Sequence, residues 1–247
     1  MNNRANRLFA LAIILLSLGS SGIDRDPPAD NPAVAPQDRP GAWRELHESF
    51  VATAAAGNVD LLFLGDSITA LWKSTAPSVW DRHYAPRKAA NFGIGGDRTQ
   101  HLLWRLDHGE LEGIKPKVVV VMIGTNNLTT ATDDQVFEGV KAVVDRIRLK
   151  LPTSKILLLG LTPRGLNRNP SQVTTSPDPR VPRINLKLAK LADEQKITYL
   201  DLGPALLDGQ GRVVQVIEPD LLHLSRKGYQ IWADAMEPTL WRLMEED

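Results

Sequence analysis

The chain has 247 residues, 43% of them hydrophobic, so it is long enough to bury one substantial core. Lys and Arg together number 29, as do Asp and Glu, so the chain lacks the basic excess that attracts nucleic acid and we predict no nucleic-acid partner. Cysteine is absent, which excludes disulfides, thiolate metal sites and a cysteine nucleophile.

The N-terminal residues have the pattern of a targeting segment. Arg4 and Arg7 supply positive charge, residues 8–18 form a short apolar run, and small residues follow. We predict that residues 1–22 are a signal peptide and that the protein is exported, periplasmic or secreted. The alternative is an uncleaved signal anchor, which is disfavoured because the apolar run falls short of the ~20 residues of a membrane span. Residues 23–41, rich in Pro, Asp and Ala, are expected to form a disordered linker before a domain over residues 42–247.

Apolar runs of strand length and helical patterns alternate through this domain. The predicted strands lie at residues 60–64, 88–92, 118–123, 156–159 and 197–200, and the predicted helices at residues 43–56, 98–106, 133–149, 182–195 and 226–244. Nearly continuous apolar runs, without alternation, indicate strands buried on both faces. The pattern predicts an α/β fold with an open, doubly wound parallel sheet, whose site would lie at the carboxyl ends of the strands.

Ser67 directly follows the first predicted strand, in Gly65-Asp66-Ser67-Ile68, and stands where a helix can begin. At a helix start its own backbone N–H is free and the helix dipole is positive, which suits a nucleophile whose reaction creates an oxyanion. The alternative role for Ser67 is an ordinary helix N-cap.

His223 lies late in the chain, in Asp220-Leu-Leu-His223. A carboxylate three residues before an imidazole can accept its Nδ1–H and leave Nε2 to take the proton of a serine. We therefore predict Ser67, Asp220 and His223 as a catalytic set. The alternative is that the pair caps the following helix or lies in solvent.

Two further positions could complete an oxyanion hole together with the N–H of Ser67. Gly96 would allow close approach of its backbone N–H to a substrate oxygen, and the side-chain amide of Asn126 is a fixed donor. A tight turn at Gly96 and an Asx turn at Asn126 are the structural alternatives. No metal site is predicted, because His101 and His108, seven residues apart, lack a third ligand.

These blocks carry a resemblance to a known family. Gly65-Asp66-Ser67-Ile68, Gly96, Gly124-Thr125-Asn126 and Asp220-x-x-His223 resemble the four blocks of the SGNH (GDSL) hydrolases. Further stretches are similar to the catalytic subunits of intracellular platelet-activating factor acetylhydrolase, and they lie at residues 91–97, 103–106, 109–112, 114–117, 124–127 and 163–165.

The resemblance implies a three-layer α/β/α, flavodoxin-like fold with a central five-stranded parallel sheet. It implies Ser67, Asp220 and His223 as the triad, and Ser67, Gly96 and Asn126 as oxyanion donors. It also implies no metal or organic cofactor, and a homodimer by analogy. The expected activity is hydrolysis of short-chain, above all acetyl, esters through an acyl-enzyme.

Other functions remain as alternatives at this stage. A carbohydrate O-deacetylase acting on a polysaccharide, a lysophospholipase and a thioesterase would use the same residues, and a binding module without catalysis belongs to a different class. The α/β-hydrolase fold is disfavoured because its G-x-S-x-G elbow is absent, and a nucleotide site because neither G-x-G-x-x-G nor a Walker loop is present. Trp72 and Trp104 lie near the blocks and either contact substrate or pack in the core.

Overall fold

The computed structural model describes residues 31–165, 176–193, 195–212 and 220–245. Five strands lie at its centre: β1 (Leu61–Gly65), β2 (Ala89–Gly93), β3 (Val118–Met122), β4 (Lys155–Leu159) and β5 (Ile197–Leu200). They form one all-parallel sheet in the order β2-β1-β3-β4-β5. The prediction of an α/β fold with five parallel strands is confirmed, and each strand lies within one residue of its predicted bounds.

Alternate residues of the strands feed two separate cores, one on each face of the sheet. Leu62 and Val119 belong to the first core, whereas Phe63 and Val120 belong to the second. Every residue of β1 and β3 is buried, as expected for central strands covered on both faces. This double burial is the physical reason for the continuous apolar runs in the sequence.

Helices cover both faces, which makes the fold a three-layer sandwich. The first core is covered by α1 (Ala42–Ala55), α5 (Thr99–Asp107), α6 (Asp133–Lys150) and α7 (Arg180–Leu188). The second is covered by α2 (Ser67–Ala70), α3 (Trp72–Thr75), α4 (Pro77–His83) and α8 (Arg226–Glu245). Among the described residues no helix is both long enough and apolar enough to cross a membrane. The predicted signal peptide lies outside the described residues.

Helix α7 ends earlier than the pattern predicts. The apolar spacing extended the helix to residue 195, but the regular helix ends at Leu188 and a single 3-10 turn follows over Ala189–Leu191. Asp193 explains the difference, because its side chain accepts hydrogen bonds from the backbone N–H groups of Gln195, Lys196 and Ile197. These bonds turn the chain directly into β5, and a short polar side chain of this kind competes with a continuing helix.

Residues 31–41, which we call the N-terminal strap, differ from the predicted disordered linker. Thr99 Oγ1 donates to the carbonyl of Ala33 at 2.7 Å, and the N–H of Gln37 donates to the carbonyl of Gln100 at 3.0 Å. Gly139 provides the space, since a Cβ there would lie 3.0 Å from the Cβ of Ala33. Composition misled the prediction because a polar, Pro-rich segment can be ordered by backbone hydrogen bonds to a neighbouring helix.

Two glycines bring α2 hard against the carboxyl ends of the central strands. A Cβ at Gly65 would lie 2.1 Å from Thr69 Oγ1, and one at Gly93 would lie 2.4 Å from the backbone N of Ala70. Both approaches are too close for any side chain. The glycines therefore hold Ser67, the first residue of α2, at the edge of the sheet.

A fully buried arginine joins the same strand ends. The guanidinium of Arg105 donates to the carbonyl of Phe92 at 2.9 Å and to the carbonyl of Gly65 at 3.3 Å. It also pairs with Asp97 at 2.9 Å and with Glu110 at 2.5 Å, and all three side chains have no exposed surface. The carboxylates of Asp97 and Glu110 thus share the buried charge of Arg105. A buried ion cluster of this kind is stable only while all its members are present.

We expect Arg105→Leu to lower the free energy of unfolding by about 3–5 kcal/mol, because it removes the buried cation that the buried carboxylates of Asp97 and Glu110 share. Urea unfolding followed by circular dichroism measures the change. Lys141→Ala is the matched control: it breaks the exposed pair with Asp145 and should cost less than about 1 kcal/mol. A loss for Arg105→Leu as small as that of the control would contradict the anchoring role.

Candidate active site

The structure brings Ser67, His223 and Asp220 into one hydrogen-bonded chain. Ser67 Oγ lies 2.8 Å from His223 Nε2, although the two residues are 156 positions apart in the sequence. On the other side of the imidazole, Nδ1 lies 2.5 Å from Asp220 Oδ2. With the proton on Nδ1 donated to Asp220, Nε2 is an acceptor for the serine proton.

Asp220 and His223 are held by a tight local turn. The second carboxylate oxygen of Asp220 accepts the backbone N–H groups of Leu222 and His223, both at 3.0 Å. Leu221, which lies between Asp220 and Leu222, adopts a left-handed conformation with φ of 54°. This conformation is uncommon for a residue other than glycine. The turn therefore presents the carboxylate and the imidazole on the same side, as the three-residue spacing predicts.

Contacts with neighbouring elements fix the position of this turn. The N–H of Gly165 donates to the carbonyl of Leu221 at 2.8 Å. A Cβ at Gly165 would lie only 2.7 Å from the Leu221 side chain, so the glycine is needed for this approach. From α8, the Tyr229 hydroxyl donates to the carbonyl of Ile68 at 2.6 Å. The histidine turn is thus tied both to the chain after β4 and to the helix that carries Ser67.

The carboxyl group of Asp220 remains ionised over the range in which a histidine base operates. Partial burial works against its charge, but the N–H of His223, the His223 side chain and the N–H of Leu222 outweigh it and lower the pKa of Asp220. An ionised carboxylate beside Nδ1 stabilises the imidazolium that forms when Nε2 takes a proton.

Two backbone N–H groups, those of Ser67 and Gly96, lie near the serine hydroxyl. Ser67 is the first residue of α2, so its N–H has no acceptor within the helix. Gly96 has φ of 77° in an exposed turn, and a Cβ at the preceding Gly95 would lie 4.0 Å from Ser67 Cβ. Within the described chain, neither N–H donates to another residue. Both donors are available to an oxygen placed beside Ser67.

The amide of Asn126 lies against the same turn. Its Nδ2 donates to the carbonyl of Asp97 at 2.9 Å and approaches Asp66 Oδ2 at 3.4 Å. The neighbouring Asn127 fastens this loop to α5, accepting the N–H of Thr99 at 3.0 Å and donating to Gln100 Oε1 at 3.0 Å. The Asn126 side chain is therefore held beside the glycine turn. Its contact with Asp66 is long, and a substrate oxygen would replace that contact.

Asp66 is a buried carboxyl group directly beside Ser67. Its Oδ1 caps α2 by accepting the N–H of Ile68 at 2.9 Å. Burial, helped by the nearby charge of Asp97, raises the pKa of Asp66 to about 7. Burial thus favours the neutral form of this carboxyl group and reduces the negative charge beside Ser67.

Sequence reasoning assigned no role to the side chains that support the glycine turn. Asp97, with no exposed surface, accepts Trp43 Nε1 at 2.7 Å and Arg39 Nη1 at 3.1 Å, in addition to Arg105. Its pKa is raised by burial, while Arg105 and the hydrogen bond from Trp43 oppose the rise. The stretches that carried the family resemblance include Asp97, Arg105 and Glu110. That shared position was the signal in the sequence that pointed to these three residues. A single charged residue in a helix otherwise suggests a solvent-exposed position.

Of the two tryptophans named from the sequence, Trp72 is packed in the core and Trp104 is half-buried against neighbouring aromatic rings. Trp72 is fully buried and lies against Tyr229, with ring centroids 4.5 Å apart, and against Trp232 at 5.3 Å. Trp104 stacks on His108 with centroids 3.7 Å apart and leans on Trp43 at 5.4 Å.

Comparison with known proteins gives the family. Residues 63–231 match the model of the GDSL-like lipase/acylhydrolase family. The chain is 39% identical over 224 residues to platelet-activating factor acetylhydrolase IB subunit alpha1 of Homo sapiens, covering 88% of this chain and 93% of that protein. It is 37% identical over 221 residues to subunit alpha2 of Rattus norvegicus, covering 87% and 93% respectively.

A solved structure with this fold is the GDSL-like lipase of Bacteroides thetaiotaomicron. It superposes with a TM-score of 0.62 at 17% identity, over 79% of this chain and 97% of that chain. At that identity the likeness shows the fold, whereas the family rests on the match over residues 63–231 and on the acetylhydrolase subunits. The chain belongs to the GDSL-like lipase/acylhydrolase family and is a hydrolase of that family.

Proposed function

We propose that the protein is a serine esterase that hydrolyses short-chain acyl esters, with acetyl esters as the preferred class, through a Ser67–His223–Asp220 triad and an acyl-enzyme. The observation that carries the proposal is the imidazole of His223, with Nε2 2.8 Å from the serine oxygen and Nδ1 2.5 Å from the carboxylate. Nucleophile, base and orienting acid in that order are the parts that nucleophilic catalysis requires.

In the first step His223 Nε2 takes the proton of Ser67 as the serine oxygen attacks the ester carbonyl carbon. The carbonyl oxygen becomes an oxyanion, which receives hydrogen bonds from the N–H groups of Ser67 and Gly96 and from the amide of Asn126. Asp220 stabilises the imidazolium without taking its proton. When the intermediate collapses, the carbon–oxygen bond to the alcohol breaks and Nε2 protonates the leaving alcohol.

In the second step the acyl group on Ser67 is transferred to water. The neutral imidazole of His223 removes a proton from a water molecule, whose oxygen attacks the acyl carbon. The same three donors hold the second oxyanion, and the proton on Nε2 returns to Ser67 as the acid leaves. The cycle restores the enzyme and needs only water as co-substrate.

The similar proteins are subunits of acetylhydrolases, and this similarity favours a short acyl group. Carbohydrate O-deacetylase, lysophospholipase and thioesterase activities would use the same mechanism on other alcohols or longer acyl groups.

We expect Ser67→Ala to lower kcat by up to ~10⁶-fold, because the variant has no group to accept the acyl chain. Hydrolysis of p-nitrophenyl esters, from acetyl to long acyl chains, measures the loss and the acyl preference together. Ser74→Ala, which removes an exposed hydroxyl from α3, is the control and should retain wild-type turnover.

The acyl series separates the outcomes. Turnover confined to short chains and lost in Ser67→Ala supports the proposal as stated. A preference for long chains would keep the serine mechanism but replace the acetyl preference with lipid substrates. Turnover that persists in Ser67→Ala would rule out this serine as the nucleophile.

We expect Asn126→Ala to lower kcat by about 10²–10³-fold with little change in KM, since an oxyanion donor acts mainly in the transition state. Steady-state kinetics on p-nitrophenyl acetate provide the measurement. Asn58→Ala, in the exposed loop before β1, is the matched control. A fully active Asn126→Ala enzyme would remove this side chain from the mechanism.

We further propose that the enzyme is exported, on the basis of the positive region, short apolar run and small residues over residues 1–22. We expect the protein expressed with its full N-terminus in a bacterial host to appear in the periplasm or medium with a new N-terminus near residue 23. N-terminal sequencing of the fractionated protein checks this. Intact protein with Met1 retained in the membrane fraction would instead indicate an uncleaved signal anchor.

A further inference from the structure

The glycine turn beside Ser67 is a β-turn of a defined type. The N–H of Asp97 donates to the carbonyl of Ile94 at 3.2 Å, so Gly95 and Gly96 are the two central residues of the turn. The φ angle is positive at Gly96, where it is 77°, and is not positive at Gly95. A type II turn has a φ of about 80° at its second central residue, whereas a type I turn has about −90° there. The turn is therefore of type II.

The two turn types differ mainly in the orientation of the central peptide, which is rotated by about 180° between them. In this turn the central peptide joins Gly95 to Gly96, so it contains the carbonyl of Gly95 and the N–H of Gly96. The two groups point in opposite directions in a trans peptide, and a rotation exchanges them. After the rotation the Gly95 carbonyl would stand where the Gly96 N–H is proposed to donate to the oxyanion.

The turn itself permits both orientations. Glycine adopts positive and negative φ with similar ease, and both central residues are glycines. The hydrogen bond from Asp97 to Ile94 that closes the turn is common to the two types. Space does not decide the orientation either, because a Cβ at Gly95 would have its nearest neighbour, Ser67 Cβ, 4.0 Å away. A contact from outside the turn is needed to fix the peptide.

Arg39 of the N-terminal strap makes that contact. Its Nη1 donates to the carbonyl of Gly95 at 2.9 Å, and this bond is lost if the peptide rotates. A Cβ at Gly96 would lie 3.5 Å from both Nη1 and Nη2, so the guanidinium lies directly against the peptide. The strap is itself fixed two residues earlier, where the N–H of Gln37 donates to the carbonyl of Gln100 at 3.0 Å.

We propose that Arg39 is a positioning residue for the oxyanion hole, which holds the Gly95–Gly96 peptide in its type II orientation and so keeps the Gly96 N–H available to the oxyanion. This inference rests on the proposed esterase function. Arg39 acts through the backbone and does not contact the substrate. A charged donor on the carbonyl also polarises the peptide, which strengthens the N–H at its other end as a donor.

We expect Arg39→Met, which keeps the apolar stem without a donor, to lower kcat on p-nitrophenyl acetate about ten- to hundredfold. This range corresponds to the loss of one hydrogen bond from a charged donor. KM should change little, because an oxyanion donor acts mainly in the transition state. Arg39→Lys should recover most of kcat, since an ammonium group can donate to the same carbonyl. Arg44→Met is the matched control: it removes an exposed arginine that pairs with Asp38 and should keep the wild-type kcat.

A further variant separates the two contacts of Arg39, which also donates to Asp97 Oδ1 at 3.1 Å. Trp43 Nε1 donates to the same oxygen at 2.7 Å and has no contact with the Gly95 carbonyl. Trp43→Phe should therefore lower kcat less than Arg39→Met does. Equal losses in the two variants would assign the effect to Asp97 and overturn the proposal, as would a wild-type kcat in Arg39→Met or a failure of Arg39→Lys to restore turnover.

Crystal structures of the wild-type and Arg39→Met proteins test the peptide orientation without turnover. We expect a φ near 77° at Gly96 in the wild type and a rotated peptide with negative φ, in some or all molecules, in the variant. A variant with an unchanged peptide would overturn the role of Arg39 even if the enzyme were slow. Absence of ester hydrolysis by the wild type would refute the proposed function, and the two crystal structures would still decide whether Arg39 sets the peptide.

Discussion

A buried guanidinium is the interaction on which the site depends. Arg105 has no exposed surface, so its charge has to be met inside the protein. The carbonyls at the ends of β1 and β2 and the carboxylates of Asp97 and Glu110 meet it. Because Asp97 belongs to the glycine turn and Gly65 precedes the α2 cap, one side chain sets the spacing between Ser67 and Gly96.

Ser67 and His223 are each positioned locally before the fold brings them together. Asp66 caps the helix that begins at Ser67, and Asp220 folds its own turn around His223. The sheet order, with β1 between β2 and β3, then puts the serine, the glycine turn and the asparagine loop side by side. The closeness of these three loops is a consequence of parallel strands that end at one edge.

The N-terminal strap connects the first described residues to that edge. Hydrogen bonds with Thr99 and Gln100 of α5 fix its path, and Arg39 at its far end contacts Gly95 and Asp97. A segment that composition assigns to a linker thus contributes a charged side chain that contacts the glycine turn.

The sequence by itself determined the sheet and the candidate residues, because double burial leaves continuous apolar strands and because glycines, serine and asparagine stood at their ends. It also predicted the contact of Asp220 with His223, which lies within one turn. Only the tertiary structure decided what supports these residues. Arg105, Trp43 and Arg39 act on Asp97 from 8, 54 and 58 residues away, and their partners are invisible to local pattern. Whether a charged side chain is solvated or is buried and paired inside the protein depends on the tertiary structure.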